Sequence, residues 1–139
     1  MKWDIILMKN NLALVISDYY KDITDGLVAG FNSIIHKDFH VDTFYVTGAW
    51  EIIYKINSLT DRYDKFVAIG AIVKGETDHY EFISSGVANG LIDLTIHKNI
   101  YISNCVLNVH NIQDARNRAE NNDKNKGLES AKAINNLFS

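Results

Sequence analysis

An unbroken apolar run, Leu12-Ala13-Leu14-Val15-Ile16, lies between Asn11 and Ser17. A run without alternation, closed by polar residues, predicts a strand buried on both faces. Ile23, Leu27, Phe31 and Ile34 then recur at helical spacing, with Asp22 and Asp25 near the positive end of that helix. Residues 41–46 predict a second strand, closed by Thr47-Gly48, and Trp50, Ile53, Tyr54 and Ile56 a short helix. Residues 66–73, Phe-Val-Ala-Ile-Gly-Ala-Ile-Val, give the strongest strand signal. A polar stretch, 74–79, leads from it to a helix over 80–98 striped by Ile83, Val87, Leu91 and Leu94. Residues 100–107 predict the fourth strand. Asn111 is a cap candidate for a helix over 112–120, and after the polar stretch 121–126 and Gly127 a last helix carries Leu128, Ala131, Ile134 and Leu137.

Four strand–helix units and one extra helix predict a single three-layer α/β domain over residues 1–139. Its sheet is parallel, four-stranded and covered by helices on both faces, with right-handed crossovers. In such sheets ligands bind at the carboxyl ends of the strands. The shortlist for chemistry is therefore Asp18 and Tyr19, residues 47–51, residues 74–79 and residues 108–111.

Composition narrows the classes. With 47% hydrophobic and 22% charged residues, the 139-residue chain has enough apolar material to offset ordering entropy, which excludes a disordered chain. A net charge of −3 disfavours broad electrostatic binding to nucleic acid or to an anionic membrane, so any bound anion must be held locally. One cysteine, Cys105, allows neither an intrachain disulfide nor a multi-cysteine metal site, and its place inside a strand reads as a small buried hydrophobe. The apolar run at residues 5–8 is too short for a signal-peptide core or a membrane span, so the expectation is a cytoplasmic protein. His36 and His40 would share a metal only on one helix face, and Lys37-Asp38-Phe39 reads as a helix end and loop; no metal is expected.

Lys74-Gly75-Glu76-Thr77-Asp78-His79 joins the best strand to the longest helix. Backbone N–H groups at a helix start, a glycine allowing close approach and the Thr77 hydroxyl would make a phosphate cradle. His79 at its mouth would pass protons near neutral pH. The competing reading makes Thr77 or Asp78 a plain N-cap and His79 a solvated first-turn residue. In Thr47-Gly48-Ala49-Trp50-Glu51 the backbone would read a heterocycle edge and Glu51 would accept from sugar hydroxyls; otherwise Trp50 is core and Glu51 a helix-start carboxylate. Tyr19 would stack on a ring, and is equally read as a routine core-edge residue. Arg116 and Arg118 point to different sides of a helix, and one of them would reach a phosphate; the competing reading, the usual one for such a pair, leaves both in solvent.

Taken together, these turns resemble the lumazine synthase family. Residues 68–82, Ala-Ile-Gly-Ala-Ile-Val-Lys-Gly-Glu-Thr-Asp-His-Tyr-Glu-Phe, look like its most specific signature. Val46-Thr47-Gly48-Ala49-Trp50-Glu51-Ile52 is similar to its VPGAxEIP segment, and Asn125-Lys126-Gly127-Leu128-Glu129-Ser130-Ala131 to its NKGxEAA segment, with Arg118 upstream. The likeness spans residues 11–138. It implies condensation of 5-amino-6-(D-ribitylamino)uracil with 3,4-dihydroxy-2-butanone 4-phosphate, without metal or organic cofactor. By resemblance, Tyr19 stacks on the pyrimidine, and Ala49, Trp50 and Glu51 read the ring and ribityl chain with Lys126 nearby. Ala71, Ile72 and Val73 give backbone contacts. Glu76, Thr77 and Arg118 hold the phosphate, and His79 transfers protons, oriented by Glu129.

The resemblance also implies a flavodoxin-like sheet and active sites between neighbouring subunits of a homopentamer, with Arg118 supplied by the adjacent chain. Some members pack twelve pentamers into an icosahedral shell, and the uninterrupted stretch from Arg118 to Lys126 is similar to theirs. Three departures stand out: Thr47 for the usual proline, Trp50 for a smaller aromatic, and Asn104-Cys105 for a Phe-Gly whose ring covers the pyrimidine. Asn104 would hydrogen-bond the ring edge instead. The rival readings are a non-catalytic riboflavin- or lumazine-binding relative and a flavodoxin-like signalling domain; the latter lacks acidic partners beside Asp18.

Overall fold

In the computed structural model of this chain, which describes residues 10–76 and 79–139, the predicted alternation of strands and helices is present. The strands are β1 (Asn11–Ser17), β2 (His40–Val46), β3 (Lys65–Val73) and β4 (Tyr101–Val109). The helices are α1 (Lys21–Ile34), α2 (Glu51–Ser58), α3 (Tyr80–Lys98), α4 (Ile112–Asn117) and α5 (Lys126–Phe138). The apolar run at 5–8 lies outside the described residues. All strands pair in parallel in the order β2-β1-β3-β4, a three-layer flavodoxin-like α/β fold.

Strand pleating divides the core in two. Leu12, Leu14 and Ile16 of β1 face α1 and α5 and pack with Leu27, Phe31 and Ile134. Ala13 and Val15 face α2 and α3 and pack with Ile56, Val87 and Leu91. That is why these strands read as continuous apolar runs. Burying each such side chain contributes roughly 1.5–3 kcal/mol, so these two layers rather than surface ion pairs hold the sheet.

Several boundaries differ from the sequence reading. β4 runs on to Val109 because Asn108 and Val109 pair with Ile72 and Val73; Asn108 is a strand residue, not a loop residue. α2 buries Ile52 and Ile56, leaving Tyr54 78% and the preceding Trp50 55% exposed, so Trp50 is not core. α4 stops at Asn117, where Arg118 turns the chain with its N–H on the Ala115 carbonyl, 3.1 Å. α5 begins at Lys126, so Gly127 lies in its first turn, and Leu137 is exposed.

Register prepares the site. The pairing of β1 with β3 ends at Ile16 opposite Ile69, while β3 continues to Val73 beside β4. The last residues of β3 thus project past the end of β1, at the point where strand order reverses. Open α/β sheets place ligands in the crevice at that switch point.

Candidate active site

A hollow of about 300 Å³ lies on this ledge, lined by Tyr19 and Tyr20 after β1, Gly48, Ala49 and Trp50 after β2, and Ala71, Ile72, Val73 and Glu76 at the end of β3. Seven of the predicted residues, Tyr19, Ala49, Trp50, Ala71, Ile72, Val73 and Glu76, therefore meet in one place. Tyr19 is 73% exposed and braced edge-on by Tyr20, ring centroids 4.9 Å apart, so one of its faces is available for stacking. Burial first, then the Glu76 charge, pushes the Tyr20 hydroxyl above its ordinary value, which keeps it a protonated donor beside the hollow.

The chain leaves β3 through a tight turn at Val73–Glu76, closed by Glu76 N–H on the Val73 carbonyl at 3.2 Å. Gly75 there has φ +91°, with open space around its missing Cβ; the glycine serves a left-handed backbone rather than close contact. Thr77 and Asp78 lie outside the described residues. His79 precedes α3 and accepts the Ile83 N–H through its carbonyl, 2.9 Å. It borders a separate depression with Trp50, Phe82 and Gly86. Lys74 Nζ lies 3.4 Å from Glu81 Oε1 across the base of this loop. A backbone N–H, and then Lys74, hold the Glu81 carboxyl below the usual range. Glu51 turns its Oε1 back onto the Thr47 hydroxyl, 3.3 Å away, and lines the groove between α2 and α3 rather than the Tyr19 hollow.

The other predicted residues gather elsewhere. Asn104, Arg118, Lys126 and Glu129 line a hollow of about 330 Å³ along β4, the edge strand, which shares no lining residue with the first. An adjoining depression adds Lys124 to Arg118 and Lys126, so three cations gather here, beside the carboxylates of Asp114 and Glu129. Lys126 Nζ contacts Glu129 Oε2 at 3.0 Å, and Arg118 Nη1 donates to the Asp114 carbonyl at 3.1 Å. Arg116 instead faces Asp22, Nε to Oδ2 3.6 Å, and of the two arginines only Arg118 lines this hollow. Asn104 Oδ1 accepts the Val106 N–H, 3.0 Å, and Asn108 Nδ2 donates to the Val106 carbonyl, 3.1 Å. The two amides thus satisfy both backbone groups of Val106 on the open edge of β4. Cys105 is 2% exposed, and burial pushes its thiol up to about 12, so it lines the hollow as an inert hydrophobe.

Asn125 caps the helix that carries Lys126 and Glu129 to this second hollow, a role that the sequence reading missed although an asparagine just before a helical apolar pattern is a helix-start signal. Its Oδ1 accepts from Gly127 N (2.8 Å) and Leu128 N (3.1 Å), and its Nδ2 donates to the carbonyls of Gly26 (3.1 Å) and Glu120 (2.9 Å). A Cβ on Gly127 would fall 1.8 Å from the Leu27 carbonyl oxygen, so only glycine lets α5 meet α1 here. Lys126 N–H reaches back to the Arg118 carbonyl at 2.9 Å, tying the arginine to the helix start.

His36 and His40 do not share a helix face: His40 opens β2 and sets Nε2 3.0 Å from Asp42 Oδ1. Among the described residues no group of three His, Cys, Asp or Glu could hold a metal ion, and no helix is long and apolar enough to cross a membrane.

Comparison with known proteins follows the same outline. The family model described as 6,7-dimethyl-8-ribityllumazine synthase matches residues 9–139. A protein of that name from Bartonella tribocorum is 37% identical over 131 residues, 90% of this chain and 85% of its own length. Another from Limosilactobacillus reuteri is 34% identical, covering 92% of this chain and 87% of its length, and one from Deinococcus radiodurans is 36% identical, covering 88% and 83%. With the switch-point hollow, the cationic edge and the match over nearly its whole length, the chain belongs to the 6,7-dimethyl-8-ribityllumazine synthase family.

Proposed function

We propose that the chain is a catalytic 6,7-dimethyl-8-ribityllumazine synthase whose active site is completed between two copies. It condenses 5-amino-6-(D-ribitylamino)uracil with 3,4-dihydroxy-2-butanone 4-phosphate to the lumazine, phosphate and water. The observation that carries this reading is the division of the site residues. Among the described residues, the hollow with the stacking ring and strand-end backbone holds no arginine or lysine, and the hollow with Arg118 and Lys126 holds no aromatic ring. One reaction on a planar pyrimidine and a phosphorylated ketone needs both sets. A second copy that lays its β4 edge against the Tyr19 hollow supplies them. The copies then form a homopentamer, or twelve pentamers in an icosahedral shell, in the cytoplasm.

The chemistry suits these residue types. The pyrimidine amine attacks the ketone carbonyl and loses water to give an imine; phosphate leaves by elimination; the ribityl-bearing nitrogen closes the ring with loss of a second water. The bound amine is the nucleophile, so no serine or cysteine is required. Tyr19, Ala49, Trp50, the Ala71–Val73 backbone and Asn104 hold the ring in register, and Glu51 and Lys126 the ribityl hydroxyls. Glu76, Thr77 and Arg118 hold the phosphate. His79, oriented by the neighbouring copy's Glu129, takes the proton from the attacking amine and returns it to the departing oxygen. Such orientation supplies about 7–11 kcal/mol of the barrier, and a placed acid–base group adds roughly 10²–10⁴-fold.

Two experiments test the reading. Incubation with both substrates should raise lumazine fluorescence above the spontaneous rate; tight riboflavin binding without turnover would select the non-catalytic alternative. Refolding His79→Ala chains with Arg118→Ala chains should restore activity, because roughly one interface in four joins two intact halves. Sites contained within one chain would give no recovery.

A further inference from the structure

Trp50 borders three hollows: the Tyr19 hollow, the groove between α2 and α3, and the depression beside His79. Gly86, inside α3, lines the second and third but not the first. A Cβ built on Gly86 would lie 2.7 Å from Cζ3 and 3.2 Å from Cη2 of the Trp50 indole. Carbon atoms attract at about 3.5–4.0 Å and repel well before 2.7 Å. Glycine is disfavoured in a helix interior, where alanine is the best residue. Among the described glycines only Gly75 has a positive φ, so the backbone of α3 does not call for glycine at position 86. The neighbour that does is the indole.

We propose that Gly86 is a positioning residue for Trp50: the missing side chain lets the indole lie against α3, and this sets the width of the Tyr19 hollow where the pyrimidine binds. A methyl at position 86 pushes the ring off α3. Of the hollows that the ring borders, the Tyr19 hollow is the one Gly86 does not line, so a ring moved off α3 alters the width of that hollow. Sequence gives no hint of this pairing, because 36 positions separate the two residues and Gly86 belongs to no motif.

The kinetic part of the test rests on the proposed function, and the optical part does not. In Trp3→Phe protein Trp50 is the single tryptophan, since the chain has two. Gly86→Ala in that background should shift the Trp50 emission maximum and change its acrylamide quenching without substrate. The variant should raise KM for the pyrimidine on the order of tenfold while kcat stays within about threefold and KM for the phosphorylated ketone is unchanged. Trp50→Phe removes the outer indole atoms, so adding Gly86→Ala to it should change nothing further. Unaltered emission in Gly86→Ala overturns the placement of the ring. A KM effect that persists in the Trp50→Phe background overturns the coupling. Altered emission with no turnover in any variant, wild type included, keeps the placement and rejects the activity instead. If Gly86→Ala alone fails to fold, a folded double variant supports the clash, and an unfolded one overturns it.

Discussion

Replacing Asn125 by alanine should destabilise the protein out of proportion to an ordinary helix cap. The side chain is 3% exposed and makes four hydrogen bonds, two at the start of α5 and two to carbonyls of Gly26 and Glu120. Loss of the cap costs about 1 kcal/mol. The Glu120 residue is solvent-exposed and its carbonyl can turn to water, and the Gly26 carbonyl lies inside α1, where the helix bond still satisfies it, so each of these two lost bonds costs about 0.5–1.5 kcal/mol rather than a full desolvation penalty. The expected total is about 3 kcal/mol, a fall in Tm of roughly 10 °C. Urea unfolding at fixed protomer concentration measures it, and an unchanged m-value shows that the denatured state is not what moved. Asn111→Ala is the reference, because Asn111 is an exposed cap with one bond, from Asp114 N at 3.0 Å, and should cost about 1 kcal/mol or less. Asn125→Asp keeps both accepting bonds and should fall between the two. An Asn125→Ala cost no larger than that of Asn111→Ala would refute the staple between α1 and α5.

Three other outcomes are expected. Arg118→Ala should lower kcat/KM for the phosphorylated ketone by roughly tenfold to a hundredfold, the value of a charge-assisted hydrogen bond, with pyrimidine binding nearly unchanged; equal losses for both substrates in steady-state kinetics would remove Arg118 from the phosphate. His79→Ala should lower turnover by about 10²-fold rather than abolish it, since orientation survives, and single-turnover measurements should place the loss in the chemical step. Tyr63 donates its hydroxyl proton to Asp42, and burial, then that bond, raise the phenol from 10.0 to about 12. Folding thus favours the protonated phenol: the stability it contributes is complete below pH 10 and is lost as pH rises from 10 through about 12. Tyr63→Phe should make this alkaline fall shallower in urea unfolding across that range, and an identical slope would contradict the assignment.

Much of the architecture was legible because its causes are local. Apolar runs at residues 12–16 and 66–73, short and bounded by polar residues, read as strands of a sheet covered on both faces, and the position of motifs just after strands already pointed to the carboxyl end for the candidate site. Boundaries were less legible where pairing overrides polarity: Asn108 reads as loop, yet opposite Ile72 it is strand. The Asn-Lys-Gly motif was legible as a site but not as a joint, because the bonds of Asn125 to Gly26 and the contact of Gly127 with Leu27 cross about a hundred positions.

The amino-acid order by itself marked out the candidate residues for chemistry, since side-chain type and place after a strand are properties of the chain. Only the tertiary structure decided which of them can act together. Register leaves Ala71, Ile72 and Val73 beyond β1 and puts Tyr19 and Trp50 beside them, while α5 draws Arg118 and Lys126 to the β4 edge. It also decided that Trp50 faces solvent against Gly86 rather than entering the core. The physical reason is the same in each case: distances between residues far apart in the chain follow from how helices and strands pack, and no local pattern encodes them.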